Sequence, residues 1–365
     1  LTKGGALQGR MPLYKFVGNK ILTWFENHLL ESQLSEFHSG YRIYLVSTLK
    51  KLPFHLNTND FHFDTEIIIQ LIFSGSKIVE LPIPTYYGDE ICRVNGLKYA
   101  LDVAKSVIKA KMQTLGLVYD TKFDCLAQSK SSSQYIAKLN HKSPHTKALH
   151  HIRSGSSVLD LGCAGGYVGE ALKRDGCKVT GVDIHPPKSL ASLDNFIQHD
   201  LNQGMPDIEI QQYDYILLLD VIEHLASPEN FISSLYKRLE DNPQIEIIAS
   251  TGNVAFFITR TMLLFGNFNY GKRGILDLTH TRLFTFSSFK NLFTQNSYQI
   301  EYECGIPAPY HLALGDTFLS RFLGKVNNLL IKLGKGLFSY QIYFIAKATP
   351  SLRYLIKISA EESER

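Results

Sequence analysis

Val158-Leu159-Asp160-Leu161-Gly162-Cys163-Ala164-Gly165-Gly166-Tyr167 decides the fold. An apolar run of strand length ends in a glycine-rich turn that opens a helix over 167–174. Val179-Thr180-Gly181-Val182-Asp183 follows as a second strand closing on an acid. Further outward, 196–199, 215–219 and 246–249 read as strands and 228–239 as a helix. Strands alternating with helices predict a parallel sheet covered on both faces. Residues 298–304 and 340–346 alternate late in the chain and predict a closing antiparallel pair.

The chemistry of the glycine turn is specific. Glycines let the backbone take positive φ and approach a ligand. An acid ending the second strand can accept both hydroxyls of a ribose. Asp183 lies 23 residues after Asp160, close to the about 20 expected of such a pairing. A dinucleotide loop would show G-x-G-x-x-G against a pyrophosphate. Here the glycines are Gly162, Gly165 and Gly166, and Asp160 precedes them. A carboxylate there repels pyrophosphate and suits an ammonium. S-adenosylmethionine, with an ammonium, a ribose and no phosphate, fits better than NAD.

The whole chain has 365 residues, 44% hydrophobic and 20% charged, which suggests about two globular domains. A net charge of +4 is too mild to argue nucleic-acid binding. Five scattered cysteines without a C-x-x-C pair point away from a metal site or disulfides and toward a reducing cytosol. No apolar run reaches the about 18 residues of a membrane span, and no signal peptide is evident. Because the sequence opens on Leu1 rather than Met, the expectation is that it starts inside a longer product.

Leu13, Phe16, Val17, Ile21, Leu22, Phe25, Leu29 and Leu30 predict a helix with one buried stripe. Tyr41–Val46 and Lys77–Leu81 read as strands, 65–73 as a helix stopped by Gly75, and 89–111 as a helix with a basic face. That face is read as solvated, with a membrane surface as the alternative. Apolar residues in His311–Leu337, with Arg321, Lys325, Lys332 and Lys335, predict a helix whose stripe caps the core; peripheral membrane contact is the alternative.

Residues 157–225 resemble a class I S-adenosylmethionine-dependent methyltransferase. Asp160, Gly162 and Gly166 match its first motif, with Ala164 in place of the middle glycine and Gly165 beside it. The resemblance implies that Asp183 binds the ribose and Asp200 the adenine amino group. Asp220-Val221-Ile222-Glu223-His224-Leu225 resembles the segment after the fourth strand in the ubiquinone-type O-methyltransferase branch, so Asp220 joins the cofactor group. His224 either faces the pocket or merely begins the next helix. His280, in a His-x-x-x-Phe-Thr segment similar to that branch, is the acceptor-side candidate or only a loop anchor. The stretch Tyr135–His145 resembles the lead-in helix that lids the cofactor.

Met11–Tyr87 resembles the C-terminal half of a family 2 glycosyltransferase of the dolichyl-phosphate mannosyltransferase kind, through Ser39-Gly40-Tyr41-Arg42, Phe61–Glu66 and Val79–Pro84. By that resemblance Arg42 meets a phosphate; otherwise it pairs with a surface carboxylate. No Asp-x-Asp occurs in residues 1–90, so that domain is expected to be truncated. The fold class expected is therefore α/β: a Rossmann-like doubly wound methyltransferase sheet preceded by a partial GT-A-type α/β region. The domains expected are 1–115 (glycosyltransferase part), 116–134 (linker), 135–349 (methyltransferase) and 350–365 (tail). The function expected is methylation of a small-molecule acceptor, a glycan or lipid-linked sugar, in a glycosyltransferase–methyltransferase fusion. Sugar transfer with an accessory methyltransferase, or a cofactor-binding module without turnover, are the alternatives. No metal and no nucleic acid are expected; the location expected is cytoplasmic, with possible peripheral membrane contact.

Overall fold

The computed structural model describes residues 9–83, 94–114, 118–125, 141–187 and 189–363. It divides into two units, one up to Ser133 and one from Gln134, with Asn269–Gly271 grouped with the first.

The described part of the first unit is helical. Helices α1 (Leu13–Leu30), α2 (Phe63–Phe73) and α3 (Gly96–Thr114) surround a small core of Phe37, Ile68, Ile69, Val103, Val107 and Phe123. α1 begins and ends where its apolar spacing predicts, but it is turned differently. Leu22, Phe25 and Leu29 pack against the core, whereas Leu13, Val17 and Ile21 face outward beside Tyr14 and Trp24. Its inward residues include Thr23 and the fully buried Glu26. The Thr65 hydroxyl donates to Glu26 Oε1 at 3.1 Å, and His38 Nε2 lies 3.2 Å from Oε2. Glu66, also buried, accepts from Ser106 Oγ, Lys122 Nζ and the Thr58 N–H. Buried carboxylates need such partners, so polar groups shape this interior as much as apolar ones.

Two expected strands are absent. Residues 41–45 and 77–83 run without a ladder, and no described residue of the first unit is in a strand. A strand is defined by hydrogen bonds to a neighbour, and neither segment has one among the described residues; Val46–Leu49 instead forms one helical turn. The partial GT-A-type region is thus not seen as an α/β layer. α3 starts later than expected, at Gly96. Its basic face is solvated and paired: Lys98 with Asp60, Lys105 with Asp102, Lys109 with Asp120 and Lys111 with Glu31.

The second unit is built on one seven-stranded sheet in the order β3-β2-β1-β4-β5-β7-β6. The strands are β1 (Ser157–Leu161), β2 (Lys178–Asp183), β3 (Asn195–Gln198), β4 (Tyr215–Leu219), β5 (Glu246–Gly252), β6 (Tyr298–Ile306) and β7 (Gln341–Ala348). β1 to β5 pair in parallel; β7 runs antiparallel to both β5 and β6, as the late alternation predicts. β4 is buried along its whole length, which is why its sequence is an unbroken apolar run. Helices α4 (Pro144–His151), α5 (Tyr167–Arg174), α6 (Pro228–Leu239), α7 (Phe257–Leu264) and α8 (Phe286–Thr294) follow, then α9 (Phe318–Leu333) and α10 (Leu352–Ser363). Two apolar clusters form the cores of this unit, one on Leu159, Leu218 and Phe344, the other on Val158, Leu217 and Tyr343.

Strand order reverses between β1 and β4, leaving a crevice at the carboxyl ends of the strands. The stripe expected of α9 is covered only in part: Leu323, Val326 and Leu330 are half-buried, while Leu319, Phe322, Leu329 and Leu333 are exposed. Its most buried residues are Ser320 and Asn327, and Phe318 is exposed as well.

Candidate functional site

The glycine loop leaves β1 at the switch point. The Gly162 and Cys163 N–H groups both donate to the Val182 carbonyl, at 2.7 and 3.2 Å, fixing the loop against β2. Gly162 has φ +79°, and a Cβ there would lie 2.5 Å from Val221 Cγ2. The loop is therefore packed on the segment after β4, and only glycine fits. Ala164, where the resemblance calls for glycine, adopts φ +45°. Its N–H donates to Asp183 Oδ2 at 2.8 Å, which offsets the about 1–2 kcal/mol cost of a left-handed alanine. Gly165 has no positive φ; Gly166, at φ +75°, is the N-cap of α5.

Asp160 is only 3% exposed. Burial first, then the charge of Asp183, push its carboxyl up to about 7. No hydrogen bond or ion pair among the described residues meets that carboxylate. Asp183 ends β2, and its oxygens accept from the N–H groups of Ala164 and His185.

Asp200 caps a 3-10 turn, Leu201–Gln203, by accepting from the Asn202 N–H. Asn202 Oδ1 in turn accepts from the Ala226 N–H at 2.8 Å, joining the turn after β3 to that after β4. Asp220 is held in a left-handed conformation, φ +57°. Its carboxylate accepts from Ser250 Oγ at 2.7 Å and from Gln341 Nε2 at 2.9 and 2.8 Å. These partners on β5 and β7 stabilise a backbone strain of the kind concentrated at functional sites. Glu223, also 3% exposed, is pushed up to about 8 by burial and by Asp220. This buried second acid was not among the sequence candidates; its place beside Asp220 in the 220–225 segment was the available signal.

His224 and His280 come together, ring centroids 4.8 Å apart and edge to face. His224 Nδ1 lies 3.2 Å from the Thr279 carbonyl and His280 Nδ1 2.9 Å from the Ile275 carbonyl. Carbonyls only accept, so each neutral ring carries its proton on Nδ1 and leaves Nε2 as the acceptor. Burial, chiefly, holds His280 below the usual imidazole value. The loop bearing His280 is fixed to the post-β4 turn: the N–H groups of Thr281 and Arg282 donate to the Glu223 carbonyl, and Thr281 Oγ1 to that of Leu225. The second unit thus joins the glycine loop, the 200–203 turn, the 220–226 turn and the 277–285 loop at one end of the sheet.

Tyr135 and Lys138 of the expected lid lie outside the described residues. His145 is buried in α4, which begins with a Ser143–Thr146 capping box and Pro144. In the first unit, Arg42 donates from Nε to Ser39 O, from Nη1 to Asp64 O and from Nη2 to Phe37 O, and pairs with Asp64 at 3.7 Å. Three of its five N–H groups are already engaged.

Residues 134–303 match the methyltransferase-domain family. That match makes this part of the chain a methyltransferase domain. It is similar to the mitochondrial ubiquinone biosynthesis O-methyltransferase of Schizosaccharomyces pombe, 33% identical over 119 residues, 30% of this chain and 40% of that protein. The ubiquinone biosynthesis O-methyltransferases of Pseudomonas entomophila and Xylella fastidiosa are each 30% identical, over 106 and 113 residues. These cover 25% and 29% of this chain and 43% and 46% of those proteins. The chain spans less than half the length of these relatives.

The residues present fit S-adenosylmethionine. Asp160 is a nearly buried carboxyl without a protein partner, as an ammonium site requires, and Asp183 is fixed at the end of β2.

Proposed function

We propose that the second unit transfers a methyl group from S-adenosylmethionine to an oxygen of a small-molecule acceptor, a glycan or lipid-linked sugar. The observation carrying this reading is the unpartnered, nearly buried Asp160 beside the glycine loop, with Asp183 fixed across it. The bound sulfonium supplies an electrophilic methyl group. Asp160 holds the ammonium, Asp183 the ribose hydroxyls and Asp200 the adenine amino group, while Gly162 and Gly166 give the loop its close approach. Asp220, bound to Gln341 and Ser250, acts as a positioning residue for the turn that faces the loop. Methyl displacement needs its acceptor aligned in line and relieved of a proton. His280 and His224, each with Nε2 as acceptor, are assigned that proton. The named acceptors of the relatives concern those proteins; a sugar acceptor is inferred here from the glycosyltransferase likeness of residues 11–87.

That likeness also supports a second reading, sugar transfer with an accessory methyltransferase. The fold of the first unit brings two of its quoted segments together, Arg42 against Asp64. Against it, a phosphate would find only two guanidinium N–H groups left on Arg42.

The test is transfer of a radiolabelled methyl group to a panel of free sugars, lipid-linked glycans and phenols. His280→Gln should lower kcat by about 10²-fold or more, with cofactor affinity unchanged. Cofactor binding without transfer to any acceptor would contradict methyl transfer and leave a binding module.

A further inference from the structure

Helix α9 carries apolar residues on two faces: Leu323, Leu330 and Ile331 are half-buried, and a second apolar strip is left exposed. A surface helix normally buries its apolar stripe and exposes its polar one. In α9 the residues most withdrawn from solvent are polar: Ser320, 3% exposed, and Asn327, 2%. Both are satisfied. Ser320 closes a capping box with Thr317, and Asn327 accepts from the Ala308 N–H at 3.0 Å and donates to the Phe338 carbonyl at 2.8 Å. The opposite face is apolar and exposed. Phe318, Phe322, Leu329 and Leu333 fall within about 60° of arc at ~100° per residue, and Phe318 is 81% exposed. The Phe318 and Phe322 rings lie nearly parallel, 6.5 Å apart.

Charge borders this face on one side. Arg321, Lys325 and Lys332 follow one another along its edge by the same helical arc. Arg321 pairs with the exposed Asp316, but Lys325 and Lys332 have no ion pair among the described residues. The basic face of α3 is different, each lysine there meeting an acid.

Topology gives the helix its place. β6 ends at Ile306 and β7 begins at Gln341 on the side where β1 and β4 end, so the 307–340 segment emerges at the edge carrying the glycine loop. α7, which follows β5 at that edge, ends in exposed Leu263, Leu264 and Phe265.

We propose that α9 lies in the interface of an anionic lipid bilayer. Phe318, Phe322, Leu329 and Leu333 enter the acyl boundary, and Lys325 and Lys332 meet lipid phosphates. An apolar face bordered by unpaired cations is what such a surface recognises, through buried apolar area and attraction to anionic headgroups. The helix is too short and too charged to span: among the described residues no helix is long and apolar enough to cross a membrane. The binding claim stands on the geometry of α9 alone and survives a failure of the methyl-transfer reading.

The experiment is sedimentation of the 365-residue chain with vesicles of phosphatidylcholine, with and without about one third phosphatidylserine. Binding is expected to be stronger with phosphatidylserine and to weaken as salt rises. Phe322→Ser with Leu329→Ser should weaken binding to both vesicles. Lys325→Gln with Lys332→Gln should lower affinity at least tenfold for the anionic vesicles alone. All four side chains are solvent-facing or at the helix edge, so the variants should keep the wild-type circular dichroism. No sedimentation of the folded wild type, or binding insensitive to both pairs, would overturn the proposal. So would binding lost instead with Trp24→Ser in α1, or a dimer that the Phe322/Leu329 pair dissociates.

Discussion

The two units solve the problem of burial in opposite ways. The second hides a largely apolar sheet and gathers its buried acids Asp220 and Glu223 at the carboxyl ends of the strands. The first buries Glu26, Thr65, Glu66 and Gln70 and turns Tyr14, Ile21 and Trp24 outward. The difference teaches that apolar spacing locates a helix reliably but does not say which face is covered. In α1 the buried polar groups, tied to one another across three helices, set the rotation of the helix.

The largest break in this contrast is expected from Phe344→Ala. Phe344 is buried in β7 with its ring 4.6 Å from Phe289 and 4.7 Å from Phe293. Its loss should cost about 3–5 kcal/mol, read by denaturant unfolding of the second unit. Next, Glu66→Ala should cost the first unit about 3 kcal/mol, by stranding Lys122, Ser106 and the Thr58 N–H. Glu66→Gln should recover part of that, since it keeps an acceptor. If the alanine variant were neutral, the polar interior would not be what orders this unit.

A smaller effect follows from pH. Asp160 and Glu223 both titrate above ordinary carboxyls, near 7 and 8. Over the range from about 4 to those values, the folded unit holds protons that the unfolded chain has released. Their contribution is present in full below about pH 4 and is lost as pH rises through about 7 and about 8. The stability of the second unit should therefore fall between pH 5 and pH 8, by up to about 1.4 kcal/mol per pH unit for each group until its folded value is passed, read as a falling melting temperature. Asp160→Asn should flatten this dependence. The smallest effect belongs to Trp24→Ser, exposed on α1, which should change stability by no more than about 0.5 kcal/mol.

Much of the second unit was legible because its rules are local. β4, α5 and α6 begin and end where their residues predict. An apolar run bounded by Asp214 and Asp220, a glycine before Tyr167 and a proline at 228 each mark a boundary. The acids and glycines of the loop were legible for the same reason. What escaped depends on distant partners. Nothing near Asp220 announces that Gln341, on another strand, will bind its carboxylate. Residues 41–46 and 77–81 carry strand-like composition, but a strand also needs a neighbour. The stripe of α9 is open to two readings, and the observed burial divides it: Leu323, Val326 and Leu330 are half-buried, and Leu319, Phe322, Leu329 and Leu333 are exposed.

The most direct test is calorimetric titration of the 365-residue chain with S-adenosylhomocysteine at pH 6 and pH 8, beside Asp183→Ala and Asp160→Asn. If Asp160 receives the ammonium, binding should tighten as pH rises through about 7 and should release a proton. Asp160→Asn should abolish that dependence, and Asp183→Ala should weaken binding at least tenfold. A folded chain that binds no S-adenosylhomocysteine, or binds it with indifference to both acids, would contradict the assignment of the cofactor site.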